Sequence, residues 1–214
     1  MKNIIIVCAG STAQEVYFMI KSINKHAEEK NQEAPYNILG FLSDVPNALD
    51  GSGIQEKIIG AIQDWHPIGD EVYAMGLSDP KGKEKLATML KNRGCKFETL
   101  ISPSCDIWGE ITIGEGCIIM NGVIENKTIL GDFVNIQGSA IGQYSKIGDY
   151  STTTAYANIP GSTLEKRVFV GSHAVVLKNR KVGDDAFICA GSIVVSNIKP
   201  GTKVFGVPAK RVDW

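Results

Sequence analysis

Two rhythms of apolar residues divide the chain near position 100. Up to about Leu100, short apolar runs alternate with stretches of helical period. Asn3 to Val7 reads as a buried strand, and Ala13 to Lys25 as a helix carrying Val16, Met19, Ile20 and Ile23 on one face. Asn37 to Leu42, Val72 to Met75 and Phe97 to Ile101 supply further strands, with a helix across Lys81 to Arg93. Strands alternating with helices predict an α/β unit over 1–100 with a sheet of about four strands.

From Ile101 the branched aliphatics return every six residues, at Ile101, Ile107, Ile113 and Ile119, then at Leu130 and Ile136. The step resumes at Ile141, Ile147, Thr153 and Ile159, and again at Leu164, Val170, Val176, Val182, Ile188 and Val194. Six is too short for a helical repeat and too long for plain alternation, so each hexapeptide makes one strand and one corner. Three of them close a triangular coil of about 18 residues, and the coils stack roughly 4.7–4.9 Å apart into a parallel β-helix. Gly and Asp after the aliphatic, as in Leu130-Gly131-Asp132 and Ile147-Gly148-Asp149, supply the turns. Three steps are five residues long: Ile119 to Ile124, Ile136 to Ile141, and Ile159 to Leu164. Counting three units per coil stacks the first two in successive coils. The third follows a Pro160-Gly161 corner and has no counterpart.

Composition narrows the partners. Lys+Arg 22 against Asp+Glu 23 leaves a formal charge of -1, with no field to gather nucleic acid or an anionic membrane. The five cysteines are scattered, never in close CxxC spacing, and read as reduced core residues of a cytoplasmic protein. Ile4 to Ala9 is too short an apolar run for a membrane span.

The repeats, followed by Gly206-Val207-Pro208-Ala209-Lys210, resemble the hexapeptide acyltransferases. The opening Ile-Ile-Val-Cys-Ala-Gly-Ser-Thr-Ala-Gln-Glu-Val and the later Gly40-Phe41-Leu42-Ser43-Asp44 sharpen the resemblance to the sugar O- and N-acetyltransferases of sialic acid and bacillosamine pathways. It implies a Rossmann-like sugar-nucleotide-binding domain at 1–100, followed by a left-handed parallel β-helix at 101–214. It also implies a homotrimer, acetyl-CoA as co-substrate between adjacent coils, and a sugar or sugar nucleotide as acceptor.

Residue by residue, the resemblance places the sugar nucleotide near Gly10, Ser11, Thr12 and Asp44, with Ser11 or Thr12 equally suited to a plain helix cap. The family's Gly-x-Gly-Gly pattern is eroded to Gly10, because Cys8 and Ser11 replace its first and third glycines. Gly161 matches a glycine whose N–H meets the acetyl carbonyl, and Gly171, Ser172, Ala190 and Gly191 are implied to border CoA. The family's catalytic His falls within Ile141-Gly142-Gln143-Tyr144-Ser145-Lys146-Ile147-Gly148-Asp149, where Gln143 takes its place and Tyr144 that of the orienting carboxylate. A neutral amide can hydrogen-bond an acceptor but cannot take its proton. Of the three histidines, His26 ends a polar helix, His66 precedes Pro67 in a turn, and His173 sits at an outward corner of the later coils, the one candidate for a replacement base. One histidine within the repeats cannot assemble the three zinc ligands of a β-helix carbonic anhydrase, and no metal is expected.

Overall fold

A computed structural model describes residues 1–213, so Trp214, the last residue of the expected solenoid unit, lies outside the described residues. The N-terminal unit runs β1 (Lys2–Val7), α1 (Ser11–Glu29), β2 (Tyr36–Leu42), β3 (Ile58–Gly60), β4 (Val72–Met75), α2 (Pro80–Asn92) and β5 (Lys96–Phe97). Its strands form one parallel sheet in the order β3-β2-β1-β4-β5. This is the expected α/β layer with one strand more. Ile58–Gly60 was missed because three residues show no period. Phe97–Ile101, read as one strand, is two: β5 belongs to the sheet, whereas Leu100–Ile101 pairs with 118–119 and opens the solenoid.

β1 is central and buried on both sides, with Ile4 and Ile6 in one cluster beside α1 and Ile5 and Val7 in the other beside α2. A strand covered on both faces needs a continuous apolar run rather than alternation. Asp79 caps α2, its Oδ2 accepting the Gly82 N–H, and Pro80 supplies a preset first turn.

The rest of the chain is a left-handed parallel solenoid with three faces. Strands at 112–113, 129–130, 146–147, 163–164 and 181–182 stack on the first face. Strands at 118–119, 135–136, 152–153, 169–170, 187–188 and 203–204 stack on the second, and those at 106–107, 123–124, 140–141, 158–159, 175–176 and 193–194 on the third. From Ile119 onward the six-residue aliphatics point inward and form one dry column, with Ile119, Ile136, Ile141, Ile159 and Val170 at 0 % exposure, whereas Ile101, expected in the same series, is 37 % exposed in the first, uncovered coil. Burying each such side chain contributes roughly 1.5–3 kcal/mol.

The Gly-Asp corners between the first and second faces have a direct cause. Asp132, Asp149 and Asp184 each accept a backbone N–H from the coil below through Oδ1, from Glu115, Asp132 and Lys166 at 3.0, 3.1 and 2.9 Å. The preceding Gly131 must lack a side chain, since a Cβ there would lie 2.2 Å from the Asp149 carboxylate. The first two five-residue steps do stack: Ile118–Ile124 and Asn135–Ile141 run without a break through the corner of the second and third faces, side by side. At the third, Gly161 (φ +55) turns the chain alone where the coil below uses Gln143 and Tyr144, the latter at φ 61. One left-handed glycine replaces a two-residue turn, which removes one residue. At the far end, Lys203–Phe205 folds back on Lys210–Arg211, and Ala209 N–H bonds to Ile193, closing the coil.

The α/β unit lies on the second face. Leu100 and Ile118 join the cluster under α1, Asn135 Nδ2 donates to Leu77 O at 3.1 Å, and Thr152 Oγ1 donates to Ser78 O at 2.6 Å.

Candidate functional site

The side chains singled out in the solenoid fall at two corners rather than one. Gln143, Tyr144 and Gly161 lie between the third and first faces. His173, Gly171, Ser172, Ala190 and Gly191 lie between the second and third. The third face separates the two groups.

At the first corner Gln143 is exposed, and its backbone N–H is held 3.0 Å from Glu125 Oε2 in the coil below. A cavity of 540 Å³ opens there, lined by Gln143, Glu125, Asn126, Lys127, Glu110 and Trp108. Tyr144 is 65 % exposed and faces an adjoining groove with Ile129 and Lys146. Gly161 stacks over Gln143 as its spacing predicts, a Cβ on it falling 3.2 Å from the Gln143 carbonyl oxygen. Its N–H donates to Ser145 Oγ at 3.0 Å and its carbonyl accepts from Asn179, so the amide is engaged inside the solenoid.

At the second corner the Gly191 N–H donates to Ser172 O at 2.8 Å, and Thr154 Oγ1 lies 3.2 Å from Ser172 Oγ. A Cβ on Gly171 would meet the Ala190 nitrogen at 2.5 Å, whereas one on Gly191 would point into open space. Gly171 is thus buried under the next coil, whereas Gly191 leaves backbone uncovered at the edge. His173 (φ 60) is exposed and leans on the Tyr156 ring, with centroids 4.9 Å apart. Next to it lies a cleft of 630 Å³ between α1 and the corner, lined by Glu15, Asn121, Gln137, Thr154, Tyr156 and Ser172 among others. Gln137 and Tyr156 escaped the sequence reading because they belong to no motif, and Glu15, though inside the opening Ala13-Gln14-Glu15-Val16 run, carried no role there. The only signal was the pair of shortened repeats beside Asn121 and Gln137.

In the α/β unit, Gly10 is the N-cap of α1, and no side chain fills the cap. Ser11 and Thr12 are therefore the first helical residues and not the cap, leaving the N–H groups of the first turn free to meet an acceptor. Asp44 follows β2, is exposed, and accepts the Gln63 N–H at 3.2 Å. Cys8 takes φ 74 at the end of β1, a left-handed conformation that favours glycine. Burial, with Asp44 adding to it, pushes the Cys8 thiol up to about 11, so it stays protonated and unreactive at neutral pH. His66 lies in the turn before Pro67, with Nδ1 3.1 Å from Asp64 O, and His26 lies on α1 one turn beyond Ser22 of the cleft wall. Among the described residues no cluster of metal-ligating side chains occurs, and no helix is long and apolar enough to cross a membrane.

No protein-family model matches the chain. Bifunctional protein GlmU of Anaplasma marginale (strain Florida) is 27% identical over 138 residues, 60% of this chain and 32% of that protein. Gamma carbonic anhydrase 2, mitochondrial, of Arabidopsis thaliana is 32% identical over 130 residues, 53% of this chain and 47% of that one. The chain thus spans between a third and a half of the length of these relatives. Solved structures match throughout, among them two with bound coenzyme. The acetyltransferase domain of PglB from Neisseria gonorrhoeae FA1090, in complex with acetyl coenzyme A, superposes with a TM-score of 0.81 at 18% identity, covering 99% of each chain. PerB from Caulobacter crescentus, in complex with CoA and GDP-perosamine, gives 0.80 at 18% identity over 100% of this chain and 98% of that one. From end to end, this chain has the fold of these acetyltransferases: a parallel α/β sheet unit followed by a left-handed β-helix.

Proposed function

We propose that this chain is an acetyl-CoA-dependent acetyltransferase acting on an amino or hydroxyl group of a sugar or sugar nucleotide. The observation that carries this reading is the match over both units to PglB with acetyl coenzyme A and PerB with CoA and GDP-perosamine. Residues 1–100 hold the sugar nucleotide, using the uncapped start of α1 at Gly10, Ser11 and Thr12 for phosphate and Asp44 for the base. Residues 101–214 hold acetyl-CoA, with exposed Ala190 and Gly191 and half-buried Ser172 offering an edge to its pantetheine arm above the buried Gly171. The working form is a cytoplasmic homotrimer. Support comes from the third face, where half-buried or exposed Val123, Ala140, Val175 and Ile193 alternate with the inward column.

Chemically, the acceptor nitrogen or oxygen attacks the thioester carbonyl, and its proton must leave. Gln143 can orient the acceptor but not deprotonate it, which removes a contribution typically worth about two to four orders of magnitude unless another group supplies it. A non-catalytic CoA or sugar-nucleotide binder is the second reading, favoured by Gln143 itself.

The test is thiol release from acetyl-CoA with a panel of 2-, 3- and 4-amino sugar nucleotides, GDP-perosamine included. Turnover by the wild-type chain is expected. A silent wild type whose Gln143→His variant turns over would overturn the enzyme reading and leave the binder.

A further inference from the structure

The cleft between α1 and the corner of the second and third faces is a chemically distinct compartment. Its 630 Å³ is in the range of small-molecule sites. The solenoid wall presents a ladder of amides and hydroxyls, one from each successive coil: Asn121, Gln137, Thr154 and Ser172. On the opposite wall α1 contributes Glu15 and Ser22. Among the described residues lining the cleft, Glu15 carries the only charge at neutral pH, and no lysine or arginine is present. Phosphate would find no counter-charge there. The Gln137 side-chain nitrogen is buried without a hydrogen-bond partner, a donor waiting for an acceptor. Tyr156, 73 % exposed, offers a ring face at the mouth, and His173 is packed against it.

Closely spaced neutral donors and acceptors, one aromatic face and one carboxylate suit a polyhydroxylated ring bearing an ammonium group. We infer that this cleft takes the amino-sugar ring of the acceptor, with Glu15 recognising the ammonium, Gln137 a ring hydroxyl, and His173 serving as the base. The inference rests on the acetyltransferase reading above and moves its chemistry from the Gln143 corner to this one. The step balances without any further reactant. His173 takes one proton from the ammonium, and the freed amine attacks the thioester carbonyl to form the C–N bond. The C–S bond breaks, CoA leaves as thiolate, and the second proton lost by nitrogen and that held on the imidazole go to the thiolate and solvent.

Matched pairs of sugar nucleotides test it, GDP-perosamine against GDP-rhamnose and UDP-glucosamine against UDP-glucose, each pair differing in an amine for a hydroxyl at one carbon or nearly so. In calorimetric titration the wild type should bind the amino member of at least one pair about tenfold more tightly, as one desolvated ion pair allows. Glu15→Gln should shrink that preference to about twofold, and Gln137→Ala should weaken both members. His173→Asn should leave Kd unchanged and lower kcat about a hundredfold. Glu15 and His173 are exposed and Gln137 is half-buried, and an unchanged melting curve verifies that each variant keeps the fold. No amino preference in the wild type, or one that survives Glu15→Gln, overturns the cleft. Turnover with all three variants unaffected overturns it too, while the acetyltransferase reading stands. A preference that depends on Glu15, with no thiol release from any acceptor, overturns the enzyme and keeps the cleft as an amino-sugar site.

Discussion

Lys83 on α2 and Thr152 on the second face are joined by a 2.9 Å hydrogen bond from a lysine that is 0 % exposed. The Lys83 ammonium also donates to Ser151 O at 3.1 Å, and Thr152 Oγ1 passes its own hydrogen to Ser78 O. The two units are thus pinned by a polar chain in a dry place. The nearest charged or titratable neighbours are Asp79, which caps α2, and the Cys117 thiol, and neither pairs with the ammonium directly.

Burial drives the Lys83 pKa down to about 7. In the unfolded chain it returns to about 10.4. Between those values the unfolded state binds a proton that the folded state does not, so the Lys83 contribution to stability rises with pH from about 7 to 10, by up to about 1.4 kcal/mol per pH unit. Below pH 7 both states are protonated and this contribution is flat. Guanidinium midpoints measured from about pH 6 to 8.5 should show the rise, and Lys83→Met should abolish it; above that range the Cys8, Cys105 and Cys117 thiols, each pushed up to about 11 by burial, act in the opposite sense. A wild-type profile without that rise would count against a neutral Lys83.

Thr153 interrupts the aliphatic column of the second face between Ile136 and Val170, and its hydroxyl is buried without a partner. Leaving such a group unpaired costs about 1–3 kcal/mol. Thr153→Val keeps the shape and removes the hydroxyl, so a gain of about 1 kcal/mol and a rise in Tm of about 2–4 °C are expected. A lower Tm would mean that the hydroxyl has an acceptor.

How much of this was legible in the sequence depends on whether a residue belongs to a repeat. The inward aliphatics, the Asp132 and Asp149 turns and the stacked short corners could all be read, because each recurs once per coil and its neighbour in space is fixed by spacing. β1 could be read from its unbroken apolar run. Lys83 could not, since a lysine at a helical polar position looks solvated until Ser151 and Thr152 are brought from 68 and 69 residues away. Glu15 and Gln137 were hidden for the same reason: they meet only because α1 lies against the solenoid. The separation of Gln143 from His173 was legible in part, as a difference of corner, but not the cleft beside one of them.

Gly161 and Gly191 separate two costs of adding a side chain. Both have positive φ, +55 and +69, but a Cβ on Gly161 meets the Gln143 carbonyl at 3.2 Å and one on Gly191 meets nothing. Gly191→Ala should cost about 1 kcal/mol of backbone strain alone. Gly161→Ala should cost more, by the amount needed to shift the coil below. Chemical denaturation of the two variants provides the comparison, and equal losses would show that the corner yields freely.

Gln143→His decides which corner performs proton transfer. The residue is exposed and its neighbour Glu125 accepts its backbone N–H, so an imidazole can be placed there without disturbing the core. If the acceptor ring lies in the cleft beside His173 and proton transfer stays within one protomer, the added base stands across the third face from the reacting amine. Gln143→His should then change kcat less than about twofold, and it should not rescue His173→Asn, because general-base catalysis requires hydrogen-bond reach of the proton. Steady-state kinetics on the two single variants and the double variant, read at saturating acetyl-CoA, measure this directly. Recovery of the double variant to within about tenfold of wild type would place the chemistry at Gln143 and leave His173 a residue of the corner.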